Sequence, residues 1–100
     1  MTAYLIDQAF KKCKAEGRPA LLTYTVAGDP TKKKSLDILK AISKNVDIIE
    51  SGMAFSTPIA DGGDIQTSAH RAIQAGINLN ETFKIIKKFK NTKYPRPVIL

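Results

Sequence analysis

The chain has 100 residues, 43% of them hydrophobic and 25% charged, with one cysteine and a formal net charge of +7. This length allows one modest core, and a lone Cys13 excludes a disulfide framework, so a reducing cytoplasm is the expected setting. No apolar run approaches the ~18–20 residues of a membrane span, and the N-terminal lysines follow the apolar residues instead of preceding them as in a secretory leader, so no membrane partner is expected.

In chain order, the first periodic segment spans residues 5–15, with Leu5, Ile6, Ala9, Phe10 and Cys13 at helical spacing. Gly17 stops it and Pro19 follows. Lysines flank Cys13, an arrangement that lowers a thiol pKa. Nothing around it builds a nucleophile site, and it reads as an ordinary thiol. Residues 20–27 form an apolar, β-branched run that reads as a buried strand, punctuated by Gly28-Asp29-Pro30. Thr31 or Ser35 can cap the next helix, over residues 35–43, which shows Leu36, Ile38, Leu39 and Ile42 on one broad face. Asn45 ends it, and residues 46–50 read as a second strand.

A glycine-rich loop leads to a helix over 64–75, with Ile65, Ala69, Ala72 and Ile73 on one side and Gly76 as its stop. Asn78 or Asn80 can cap a helix over 80–90 with Thr82, Phe83, Ile86 and Phe89 on its core stripe. Residues 94–97 form a turn, and 97–100 begin a third strand. Strand–helix–strand order with short apolar strands predicts parallel βαβ pairing. A parallel sheet needs cover on both faces. Three strands with three or four helices therefore read as part of a larger barrel or doubly wound sheet.

The lysines cluster at Lys11, Lys12 and Lys14, at Lys32, Lys33 and Lys34, and from Lys84 to Lys93. A basic surface can neutralise phosphates. No base-reading motif or aromatic platform accompanies these residues. They read as solvated helix faces, and no nucleic-acid partner is expected.

Two acids flank the loop after the second strand, Glu50 at the strand end and Asp61 within Ala60-Asp61-Gly62-Gly63. At the mouth of an α/β barrel, a covered carboxylate is desolvated and suits general acid/base work. A second, ionised one can hold a ring N–H or a developing positive charge. Solvated loop acids fit the same spacing, and the residue types alone leave both readings open. His70 stands on a helix without a metal-spaced partner and reads as surface or interface. Ser56 sits in no nucleophile elbow.

The sequence resembles the N-terminal part of the tryptophan synthase α subunit. The resemblance rests on Thr25-Val26-Ala27-Gly28-Asp29-Pro30 and on the run from Asp47 through Glu50, Gly52, Phe55, Ser56, Pro58 and Ala60 to Asp61-Gly62. Ile65-Gln66, Arg71-Ala72, Ala75-Gly76 and the strand 97–100 continue it in register. It implies that residues 1–100 are the N-terminal portion of a single (β/α)8 TIM barrel (helix 0, strands 1–3 and helices 1–2) whose remainder is absent. It implies a lyase of L-tryptophan biosynthesis that cleaves indole-3-glycerol phosphate by retro-aldol chemistry into indole and glyceraldehyde 3-phosphate. Glu50 falls on the family's general acid/base, Asp61 on the aspartate that accepts the indole N–H, and Tyr24 on an aromatic position lining the indole pocket. Thr25 and Asp29 are expected to orient the loop near the site, although Gly28-Asp29-Pro30 also reads as a plain tight turn.

The resemblance implies no cofactor in the α chain. Pyridoxal phosphate belongs to the partner β subunit of an α2β2 assembly. Ser51, Ala54, Thr57 and Gly63 depart from the family pattern, and one residue is missing before Val46. Ala54, Thr57 and Gly63 fall in the loop that faces the β subunit in the family, so an altered interface is expected. The family's phosphate-holding loops follow later strands, so residues 1–100 alone are expected to be inactive. Another phosphate-utilising barrel enzyme and a non-catalytic basic binding fragment are the alternative readings.

Overall fold

The computed structural model describes residues 2–54 and 62–100. Its elements, in order, are α1 (Thr2–Ala15), β1 (Leu22–Val26), α2 (Lys32–Ser43), β2 (Ile48–Gly52), α3 (Gly63–Gln74), α4 (Leu79–Lys90) and β3 (Val98–Ile99). The strands form one parallel sheet in the order β1-β2-β3, with Leu22 opposite Ile48 and Tyr24 opposite Glu50, while Ile49 and Glu50 face Val98 and Ile99. Two helices lie between β2 and β3, as the apolar spacing over 64–75 and 80–90 predicts.

The caps explain where helices begin. Thr31 is extended and its hydroxyl accepts from the Lys34 N–H, and Asn78 does the same for the Glu81 N–H. Each satisfies an N–H that the first turn leaves unpaired. Of the two caps that each of these helices allowed in sequence, the earlier one is used. β1 is shorter than the predicted 20–27 run, and β2 runs two residues further than predicted, to Gly52.

The core lies between the sheet and the helices. Val26, Ile49 and Val98 pack with Leu39 of α2, Ala69 and Ala72 of α3, and Ile85 and Phe89 of α4. Phe89 is its largest fully buried side chain. At ~1.5–3 kcal/mol per fully buried large apolar side chain, this cluster is the main source of stability.

The other face of the sheet is only partly covered. Strand alternation places Leu22, Tyr24 and Glu50 together, and all three are exposed. This corrects the expectation of a strand buried on both sides over residues 20–27. Helices α2, α3 and α4 pack on one face, while on the other Ile48, at the start of β2, is fully buried and Leu22, Tyr24 and Glu50 are exposed. α1 likewise buries less than its pattern predicts: Cys13 is buried, while Leu5 and Phe10 are exposed.

Asp47 joins α1 to the sheet. Arg18, just beyond α1, donates to both its carboxylate oxygens at 2.9 Å, and the Leu21 N–H donates to Oδ2 at 2.9 Å. These bonds, the Arg18 pair chiefly, hold the Asp47 carboxyl well below the usual carboxylate range. Burial, with the Asp47 contact second, pushes the Cys13 thiol up. The neighbouring lysines therefore do not activate it.

Candidate functional site

The middle of β1 and β2 carries the candidate site residues: Tyr24 and Glu50 are each third of five in their strands, which corrects the expectation that Glu50 ends the second strand, since pairing continues to Gly52. Glu50 lies on the central strand, flanked by Tyr24 on β1 and Ile99 on β3. The Tyr24–Glu50 pair follows from the parallel register, which puts both side chains on the face turned away from the core cluster. Glu50 is exposed, so the described residues do not supply the cover that desolvation requires. Tyr24, 42% exposed, leans along the strands over Gly52. A Cβ at Gly52 would run into the hydroxyl end of Tyr24, so a side chain there would push the half-exposed ring out of its place over the strand.

Asp61 lies outside the described residues, as do Ser56 and Thr57. Their neighbours are placed. Ala54 is partly buried and packs against the core, so this departure from the family pattern points inward. Gly63 opens α3, and a Cβ there would meet nothing within 4 Å. Proline is favoured at a first helical position, so its replacement by glycine leaves no packing defect.

The loop after β1 is tightly built. The Ala27 N–H donates to the Gly52 carbonyl at 3.0 Å, one step beyond the regular ladder. Gly28 has φ +92°, and its N–H donates to the buried Ser35 hydroxyl at 3.0 Å. Asp29 is reached from α3: Arg71 donates from Nε at 2.7 Å and from Nη2 at 2.9 Å, and the Ser68 hydroxyl donates to the same carboxylate. Arg71, chiefly, holds the Asp29 carboxyl below its ordinary range. The sequence singled out Asp29 but not these partners: Ser35 reads there only as a possible helix cap, Arg71 only as part of the family pattern, and Ser68 not at all. The available signal was Ser68 and Arg71 three apart on α3, at the border of its apolar stripe.

His70 is exposed, and among the described residues no cluster of His, Cys, Asp and Glu could hold a metal ion. No described helix is long and apolar enough to cross a membrane.

A parallel sheet with an acid and an aromatic ring side by side on its open face, and helices on the opposite face, has the layout of an arc of a (β/α)8 barrel. The tryptophan synthase alpha chain family pattern matches residues 10–100. A tryptophan synthase alpha chain from Pelagibacter ubique (strain HTCC1062) is 62% identical over 96 residues, which cover 96% of this chain and 36% of that protein. The crystal structure of tryptophan synthase subunit alpha from Legionella pneumophila superposes with a TM-score of 0.87 at 31% identity, over 93% of this chain and 36% of that one. A mutant alpha-subunit from Pyrococcus furiosus gives 0.74 at 42% identity, over 79% of this chain and 32% of that one. The chain belongs to the tryptophan synthase alpha chain family, and it spans about a third of the length of these relatives.

Proposed function

We propose that residues 1–100 are the N-terminal part of one (β/α)8 domain, and that the complete domain cleaves indole-3-glycerol phosphate into indole and glyceraldehyde 3-phosphate. The observation that carries this reading is the place of Glu50. It lies midway along the central strand beside Tyr24, on the sheet face that the core helices leave open and two residues before the C-terminal end, the end at which barrels of this kind do their chemistry. In the cleavage, the glutamic acid delivers a proton to indole C3. The bond from C3 to the glycerol chain then breaks as the adjacent hydroxyl loses its proton and becomes the aldehyde. One side chain that first gives and then takes a proton serves both steps. Asp61 holds the indole N–H and balances the positive charge that builds on the protonated ring. Tyr24 forms part of the pocket wall.

The α chain needs no cofactor of its own in this reading. A β subunit bearing pyridoxal phosphate takes up the indole in an α2β2 assembly, and Thr57, Gly63 and Ala54 alter the contact with it.

The test is Glu50→Gln in the complete barrel that contains this chain. Loss of a positioned acid/base costs about 10²–10⁴ in rate, so kcat for indole release falls by that factor while the fold is unchanged by circular dichroism. A Glu50→Gln enzyme that retains half of its kcat sinks the assignment.

A further inference from the structure

The strand before residues 53–61 and the helix after them are both tied to the same three residues, 27–29. On the strand side, the Ala27 N–H holds the Gly52 carbonyl at 3.0 Å. On the helix side, Ser68 and Arg71 of α3 hold the Asp29 carboxylate through three hydrogen bonds. The three residues are themselves fixed. Ile77 fills the space beside Gly28, Ser35 takes the Gly28 N–H, and the Asp29 N–H donates to the Val26 carbonyl at 3.3 Å. Asp29 is 14% exposed on its side chain, and Arg71 is 53% exposed. The carboxylate is therefore inside the joint, with the arginine reaching in from the surface.

We propose that Asp29, with Ser68 and Arg71, is a positioning residue. It fixes α3 against the end of β1 and so sets where that helix begins, at Gly63, two residues after Asp61. This role rests on the activity proposed above. The leverage is geometric. Arg71 lies about 12 Å along the helix from Gly63, at ~1.5 Å per residue. A tilt of about 5° around it moves the helix start by about 1 Å, and a displacement of that size at a reacting geometry costs up to ~10²-fold. A merely stabilising contact lacks this consequence.

The test uses the complete barrel, assayed well below its unfolding temperature. Asp29→Asn keeps the shape of the side chain and removes its charge. It is expected to lower kcat/KM by about 10- to 100-fold. Arg71→Lys retains one donor and recovers part of the loss seen with Arg71→Ala. The deciding measurement is a double-mutant cycle with Asp61→Asn. If Asp29 acts through Asp61, adding Asp29→Asn to Asp61→Asn changes kcat/KM less than two-fold. Phe89→Leu, which loosens the core elsewhere, lowers the unfolding midpoint and leaves kcat/KM unchanged. Hydrogen exchange adds a readout independent of turnover: Asp29→Asn speeds amide exchange at the start of α3 and leaves α4 as it was.

Two results overturn the role: a folded Asp29→Asn enzyme within two-fold of wild type, or an equal loss with and without Asp61→Asn. Unchanged exchange at the start of α3 overturns it as well. Absence of turnover in the wild-type barrel overturns the activity itself, and that is seen before any variant is made.

Discussion

Replacing Gly28 by alanine separates two costs at the mouth of β1. Its φ of +92° is a left-handed conformation in which a Cβ costs about 1–2 kcal/mol. The added Cβ would also lie 2.7 to 2.8 Å from three side-chain atoms of Ile77. Ile77 is 9% exposed and belongs to the core cluster, so it has no open direction in which to retreat. Overpacking of this kind costs about 1–3 kcal/mol. Gly17 supplies the reference, since it has φ +69° and open space where a Cβ would go. Gly17→Ala therefore carries the backbone cost alone.

The assay is urea unfolding of both variants beside wild type, with free energies compared at equal slopes. Gly28→Ala is expected to lose about 1–3 kcal/mol more than Gly17→Ala. In an Ile77→Ala background two of the three close contacts disappear and that excess shrinks. Equal losses for the two alanines would falsify the packing argument, and so would an excess that survives the Ile77 truncation.

Two further predictions concern stability. The Ser51 hydroxyl is buried without a hydrogen-bond partner among the described residues, at a position where the family pattern carries an aliphatic residue. Ser51→Ala removes that desolvated group and is expected to raise stability by about 1 kcal/mol; a lower urea midpoint would contradict this. The second concerns acid. Asp47 and Asp29 both ionise at lower pH in the folded chain than an ordinary carboxyl, held by Arg18 and Arg71 respectively. The unfolded chain therefore binds more protons below pH ~4. The stabilisation is fully present above that value and is lost as pH falls toward the depressed folded values. Asp47→Asn should flatten the acid limb of a stability-against-pH profile, and parallel limbs for variant and wild type would rule the mechanism out.

Much of the architecture was legible in the sequence because it rests on local chemistry. Thr31 and Asn78 cap helices through bonds three residues long, and Gly17 and Gly76 stop helices by adopting positive φ. Apolar spacing identified Leu39, Ala69, Ala72 and Phe89 as core, and their burial bears that out. The motif around Glu50 was also legible, since its residues are contiguous.

Three features were decided only by tertiary structure. The Arg18–Asp47 pair spans 29 residues and the Arg71–Asp29 pair spans 42, so no local pattern shows them. The Tyr24–Glu50 pairing depends on strand register, which a one-residue slip would abolish. Exposure of Leu22 and Tyr24 depends on which faces the helices reach, and strand composition does not encode that. The sequence by itself determined the elements and their order, because backbone propensity, capping and hydrophobic period act within a few residues. Only the folded sheet brought Asp29 to Arg71 and set Tyr24 beside Glu50, because contacts across tens of residues exist only once the strands have paired.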